Sequence, residues 1–193
     1  MSEGARKKIY TLIALMASLA SLFSILKLTF PYPFLPYLKF DLAEIPAAFM
    51  LLLVGFEESI IVSVIHLLFL MMQGEFVPIG PLLKFMAVAS MLAGYHLTEK
   101  LLSHNVKGGL KNTKIRLITA LLTASATRII VMLLANIVVL LFVFPQLVFT
   151  SLWLILLHTS IFNLLHTFFT MLVAYSIVCQ VKSIIGIKPR TER

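Results

Sequence analysis

The chain has 193 residues, of which 60% are hydrophobic and 12% charged, with a formal net charge of +8 and a mean hydropathy of +1.02. That is more apolar surface than a soluble core of this length can bury, so the composition predicts an integral membrane protein. The basic residues flank apolar runs instead of lining a face with interleaved polar groups, which argues against nucleic-acid binding, and the single Cys179 excludes an internal disulfide and a cysteine metal site.

Arg6, Lys7 and Lys8 open the chain and are followed by an apolar run from Ile9 to Leu28. A basic start and the small-x-small triplet Ser18-Leu19-Ala20 also fit a signal peptide, but the run is long enough to span a bilayer core of about 30 Å, which favours a retained first helix over about 9–29. Next comes Phe30 to Asp41, stiffened by Pro31, Pro33 and Pro36 and rich in aromatics. It suits the membrane interface, either as a lid over a cavity or as an interfacial belt without a ligand role.

Helices are expected at about 45–55, 58–73, 80–98, 117–143 and 150–181. Gly55, Glu57 and Glu58 interrupt 45–73, because a charged pair is costly at the bilayer centre. Two further basic clusters follow: Lys100, Lys107, Lys111, Lys114 and Arg116, then Lys182, Lys188, Arg190 and Arg193. Short Lys/Arg-rich loops stay cytoplasmic, so an even number of crossings must separate successive clusters. Parity therefore requires the split at Gly55. The expected fold class is an all-α integral membrane protein: a six-helix transmembrane bundle forming one domain over residues 1–193, with a short second helix, both termini cytoplasmic and a multi-pass location in the cell membrane.

Polar side chains inside these spans should face the bundle interior. Ser125, Arg128, Met132 and Asn136 share one face of the fifth helix; Thr159, Asn163, His166 and Thr170 share one of the sixth; Ser59, Ser63, His66 and Gln73 line one of the third. Isolated Ser and Thr at such positions commonly glue helices together. Two amides and an imidazole exceed that need, and Asn136, Asn163 and His166 are the candidate ligand contacts. Lys84, one turn after Pro81, either snorkels to the headgroups or serves the site, and Met132 on the Asn136 face offers a contact for a flat ring. No phosphate loop, nucleophile elbow or His-Glu-x-x-His helix occurs, and His158 and His166 have no carboxylate nearby in their helix. No cofactor, metal or catalytic centre is expected.

The run Phe34-Leu35-Pro36-Tyr37-Leu38-Lys39-Phe40-Asp41-Leu42-Ala43-Glu44-Ile45-Pro46-Ala47 resembles the loop and second-helix start of the S components of energy-coupling factor (ECF) transporters, especially the riboflavin-specific ones. Arg128 to Asn136 and Phe162-Asn163-Leu164-Leu165-His166 resemble the same family, and length and helix number match over essentially the whole chain. The resemblance implies a binding subunit that captures a vitamin outside the cell and delivers it by toppling, together with a transmembrane coupling protein and two ABC-type ATPases. It implies that Asn136 and Asn163 hydrogen-bond a flavin ring, and that Ala14 with Ser18, or Ala17 with Ser21, dock the coupling protein through small residues at four-residue spacing. His166 stands where the family usually has Lys, His66-Leu67 where the riboflavin members tend to have Lys-Asn, and Lys84 near a usual Asn.

A carboxamide offers one donor group and one acceptor to the alternating pyrimidine edge of a flavin, and a dry pocket with few polar groups suits such a ring. Asn136, Asn163 and His166 are assigned to the ring edge, and Lys84, Asp41 and Lys39 to the ribityl hydroxyls or lid closure. Competing readings are an S component for a different vitamin, a membrane-embedded enzyme using His66, His158 or His166, and a structural or assembly protein.

Overall fold

The computed structural model describes residues 3–73, 76–104, 113–143 and 145–185. Lys107, Lys111, Lys188, Arg190 and Arg193 of the basic clusters lie outside the described residues. The elements are α1 (Glu3–Ile25), β1 (Thr29–Tyr32), β2 (Leu35–Asp41), a 3-10 turn (Leu42–Glu44), α2 (Ile45–Leu53), α3 (Phe56–Gln73), α4 (Ile79–His104), α5 (Thr113–Val143) and α6 (Pro145–Ile185).

All nine residues of α2 are buried. A helix apolar on every side belongs in the middle of a bundle, and at 1.5 Å per residue it is only about 14 Å long, too short to cross a bilayer. It packs against α1, α3 and α6, and its Met50, Leu52 and Leu53 are among the most completely buried side chains in the protein. The chain breaks after it: the Val54 and Gly55 amides both return to the Met50 carbonyl, and α3 begins with Glu57 and Glu58 in its first turn, where carboxylates favour the positive end of the helix dipole.

Arg6–Ile25, Ile115–Val143 and Leu152–Val181 are long and apolar enough to cross a membrane. α3 and α4 are also 18 residues or longer. Large apolar groups such as Phe142 and Trp153 point outward, as a lipid-facing surface requires. The fold is thus an all-α membrane bundle of six helices with a short second one, as the composition and charge pattern predict.

The segment after α1 departs from the expected irregular loop. It is a two-stranded antiparallel hairpin pairing Thr29 with Asp41, Phe30 with Phe40 and Pro31 with Lys39, with an irregularity at Tyr32. Prolines are tolerated because each strand of an isolated ribbon has an unpaired edge. The ribbon lies on α6, where Phe34 stacks on His158 at 4.7 Å and Phe40 packs on Phe162 at 4.9 Å. The buried Tyr32 hydroxyl hydrogen-bonds with His158 Nδ1 at 3.1 Å.

α4 and α5 approach closely at Gly94, where a Cβ would lie 2.9 Å from the Ala124 Cα and 2.1 Å from Thr127 Oγ1. The hydroxyl can rotate; the backbone cannot. Gly94→Ala gains about 1 kcal/mol of helix propensity but overpacks a close crossing at a cost of about 1–3 kcal/mol, so the variant is expected to melt below the wild type in a detergent thermal-unfolding assay. An unchanged or raised Tm contradicts this crossing.

Candidate functional site: a buried charge cluster at the foot of the hairpin

Asp41 ends β2 and organises the turn that follows. Its Oδ1 accepts from the Ala43 amide at 2.8 Å, capping the 3-10 turn, and its Oδ2 accepts from Lys84 Nζ on α4. The turn delivers Glu44 to the start of α2, and Pro46 in the first turn of that helix needs no amide partner. The Glu44 side chain is only 3% exposed and points at Arg128 of α5, 2% exposed.

These two side chains form a two-pronged pair: Arg128 Nη1 donates to Glu44 Oε2 at 2.6 Å and Nη2 to Oε1 at 3.0 Å. The remaining donors are also used. Nε donates to Asn163 Oδ1 at 3.0 Å, Nη2 meets His166 Nδ1 at 3.1 Å, and Nη1 lies 3.6 Å from Met91 Sδ. Because a guanidinium only donates, Nδ1 of His166 must accept. Nε2 lies 3.4 Å from the Asp41 carbonyl oxygen and 3.6 Å from Glu44 Oε2. The Asp41 amide points its N–H at Nε2 from 3.2 Å, so a donor group stands opposite each ring nitrogen of His166.

The structure brings Asn163, His166, Asp41 and Lys84 together around Arg128 and Glu44. Asn163 is 2% exposed, and its Nδ2 donates to the Thr159 carbonyl at 2.9 Å, so that Arg128 and Thr159 together fix which way the amide points. Met132 is buried on the Arg128 face, and Asn136, eight residues on, stands about 12 Å farther along the axis of α5 and is half-buried. The Asn136 amide donates to the Met132 carbonyl at 2.7 Å. Lys39 is exposed on β2. On α1, Ala14 and Ser18 are exposed, whereas Ala17 is buried and the Ser21 hydroxyl bonds back to the Ala17 carbonyl.

Beside the cluster, a cavity of about 10 Å³ is lined by Glu44, Ser63, His66 and Lys84 among apolar groups from α1 to α4. That is room for one water molecule. His66 is tied to α1 by a 2.8 Å hydrogen bond between its Nε2 and Ser24 Oγ.

Glu44 is the residue that reading along the chain does not single out: no carboxylate is expected near His166 within its own helix, and the acid that faces it comes from the turn before α2. A signal was present: Arg128 lies mid-span, and an intramembrane cation needs an acid, which Glu44 beside Pro46 is placed to supply.

In fold and in sequence the chain is similar to a solved structure of the S component of a bacterial ECF transporter, with a TM-score of 0.71 and 26% identity over 93% of this chain and 98% of that one. No family model and no curated relative matches it. The likeness is to a transport component of the membrane, not to an enzyme.

Removing one member of a buried pair strands the other charge, at a cost of about 3–5 kcal/mol, whereas replacing both with apolar side chains is often neutral. Arg128→Met and Glu44→Met should each lower thermal stability sharply in detergent, and the double variant should recover most of the loss. Additive losses would show that the two side chains do not act as a pair.

Proposed function

We propose that this chain is the substrate-binding S component of an ECF-type importer, taking riboflavin or a close flavin relative from outside the cell and delivering it with a transmembrane coupling protein and two ABC-type ATPases. The observation that carries this reading is the likeness to an ECF S component over nearly the whole of both chains. It is supported by the cluster of buried polar groups at the foot of the hairpin, more than helix packing alone requires.

In this reading Asn136 and Asn163 meet the flavin edge, His166 donates or accepts beside them, and Met132 contacts the ring face. Asp41, Lys84 and Lys39 serve the ribityl hydroxyls or hold the hairpin down. A cavity of about 10 Å³ admits no vitamin, so the hairpin and the helix ends beside it must part for a ligand to enter. For such movement the contacts that hold the hairpin must break: ring contacts, the Tyr32–His158 hydrogen bond and the Asp41–His166 contact on α6, and the Asp41–Lys84 ion pair to α4. On α1, the exposed Ala14 and Ser18 are the register free to meet a coupling protein, since Ala17 faces the core.

One observation favours a second reading, an S component for a different vitamin: the Asn163 amide is already engaged at both ends, by Arg128 and by Thr159. An amide has one lone pair and one hydrogen left in that state, enough for a flavin edge or for another amide-like group.

The test is the absorbance of the protein purified in mild detergent, followed by riboflavin titration. Bound flavin is expected, and Asn136→Ala should weaken riboflavin by about tenfold, the equivalent of one lost hydrogen bond, with little change in Tm. Unchanged affinity in both Asn136→Ala and Asn163→Ala removes the proposed ring contacts; no flavin binding at all in the wild type removes riboflavin as the substrate.

A further inference from the structure

We infer that the ligand chamber is built for an electrically neutral guest, and that Glu44 and Asp41 impose this by cancelling the two cations that adjoin it. The inference rests on the vitamin-binding reading and adds to it a rule about charge.

Two walls of the cavity are formally charged, Glu44 and Lys84, and they belong to different ion pairs. Glu44 engages Arg128 with both carboxylate oxygens, and Lys84 is matched by Asp41. The other polar lining groups are uncharged: Ser63 donates to the Ser59 carbonyl, and His66 shares a hydrogen bond with Ser24. The region around the cavity thus sums to zero formal charge.

A free guanidinium is the side chain best shaped to grip a carboxylate or phosphate, because its planar fork matches two oxygens at once. Here Glu44 already occupies that fork, so Arg128 has no face to offer a ligand's anion. Bringing an anionic ligand in would strand either its own charge or the Glu44 carboxylate in a medium that solvates neither. What the cavity's uncharged lining can offer is hydrogen bonds from the Ser63 hydroxyl and the His66 imidazole together with apolar walls, and these suit an uncharged, hydroxyl- or amide-bearing molecule. Glu44 and Asp41 are accordingly specificity-determining residues whether or not they touch the ligand.

The test titrates riboflavin and riboflavin 5′-phosphate, two probes with one ring system and different charge, into purified wild type, Glu44→Gln and Asp41→Asn. Wild type should bind riboflavin at least tenfold more tightly than the phosphate. Glu44→Gln leaves Arg128 without its acid, and the affinity ratio should move tenfold or more toward the phosphate; Asp41→Asn, which releases Lys84, should move it the same way. A merely structural lesion would weaken both probes alike and leave the ratio where it was. If Glu44→Gln does not fold, Asp41→Asn decides alone, since its pair is partly exposed and its loss is better tolerated. Equal binding of the two probes by wild type, or an unmoved ratio in the folded variants, overturns the charge rule while leaving riboflavin binding intact. Binding of neither probe by wild type overturns both the rule and the reading beneath it.

Discussion

A guanidinium with 2% of its side chain exposed, inside a helix bundle surrounded by lipid, must find its counter-charge within the protein or not be charged at all, and arginine does not give up its proton. Arg128 meets that demand by drawing Glu44 inward from the start of α2. One contact follows from another: Glu44 at the start of the nine-residue α2 is anchored to α5 through this pair, and Arg128 in turn ties α5 to Asn163 and His166 of α6. A helix too short to span the membrane is thereby given a fixed depth and orientation. Apolar packing alone would leave it free to slide, since apolar surfaces of helices differ little from lipid in what they offer one another.

The same pair links architecture to the proposed transport role. It fixes the direction of the Asn163 amide, so that polar group is oriented before any ligand arrives, which reduces the ordering cost of binding. The hairpin is held on the same side by an ion pair to α4 and by hydrogen bonds and stacked rings on α6.

Much of the architecture was legible in the sequence. Hydropathy marked the apolar spans, the Lys/Arg clusters required an even number of helices between them, and Gly55 with Glu57 and Glu58 marked the break between α2 and α3, all consequences of what a bilayer tolerates. The polar stripes on α3, α5 and α6 were legible as well, because helical periodicity puts residues three and four apart on one face, and Ser63 and His66, Ser125 and Arg128, and Asn163 and His166 of those stripes are buried. The hairpin was less so: three prolines signal stiffness, but whether a stiff segment pairs with itself depends on what lies beneath it, here the rings of α6.

The sequence by itself determined which residues carry charge or hydrogen-bonding capacity in apolar surroundings, since that follows from local composition and spacing. Only the tertiary structure decided which of them meet. Glu44 and Arg128 are 84 residues apart, Asp41 and Lys84 43 apart, and Arg128 and Asn163 35 apart, and no local periodicity encodes a partner at such a separation. Those pairings arise when three helices and a turn are packed to a common depth, where each buried charge accepts the one opposite group within reach.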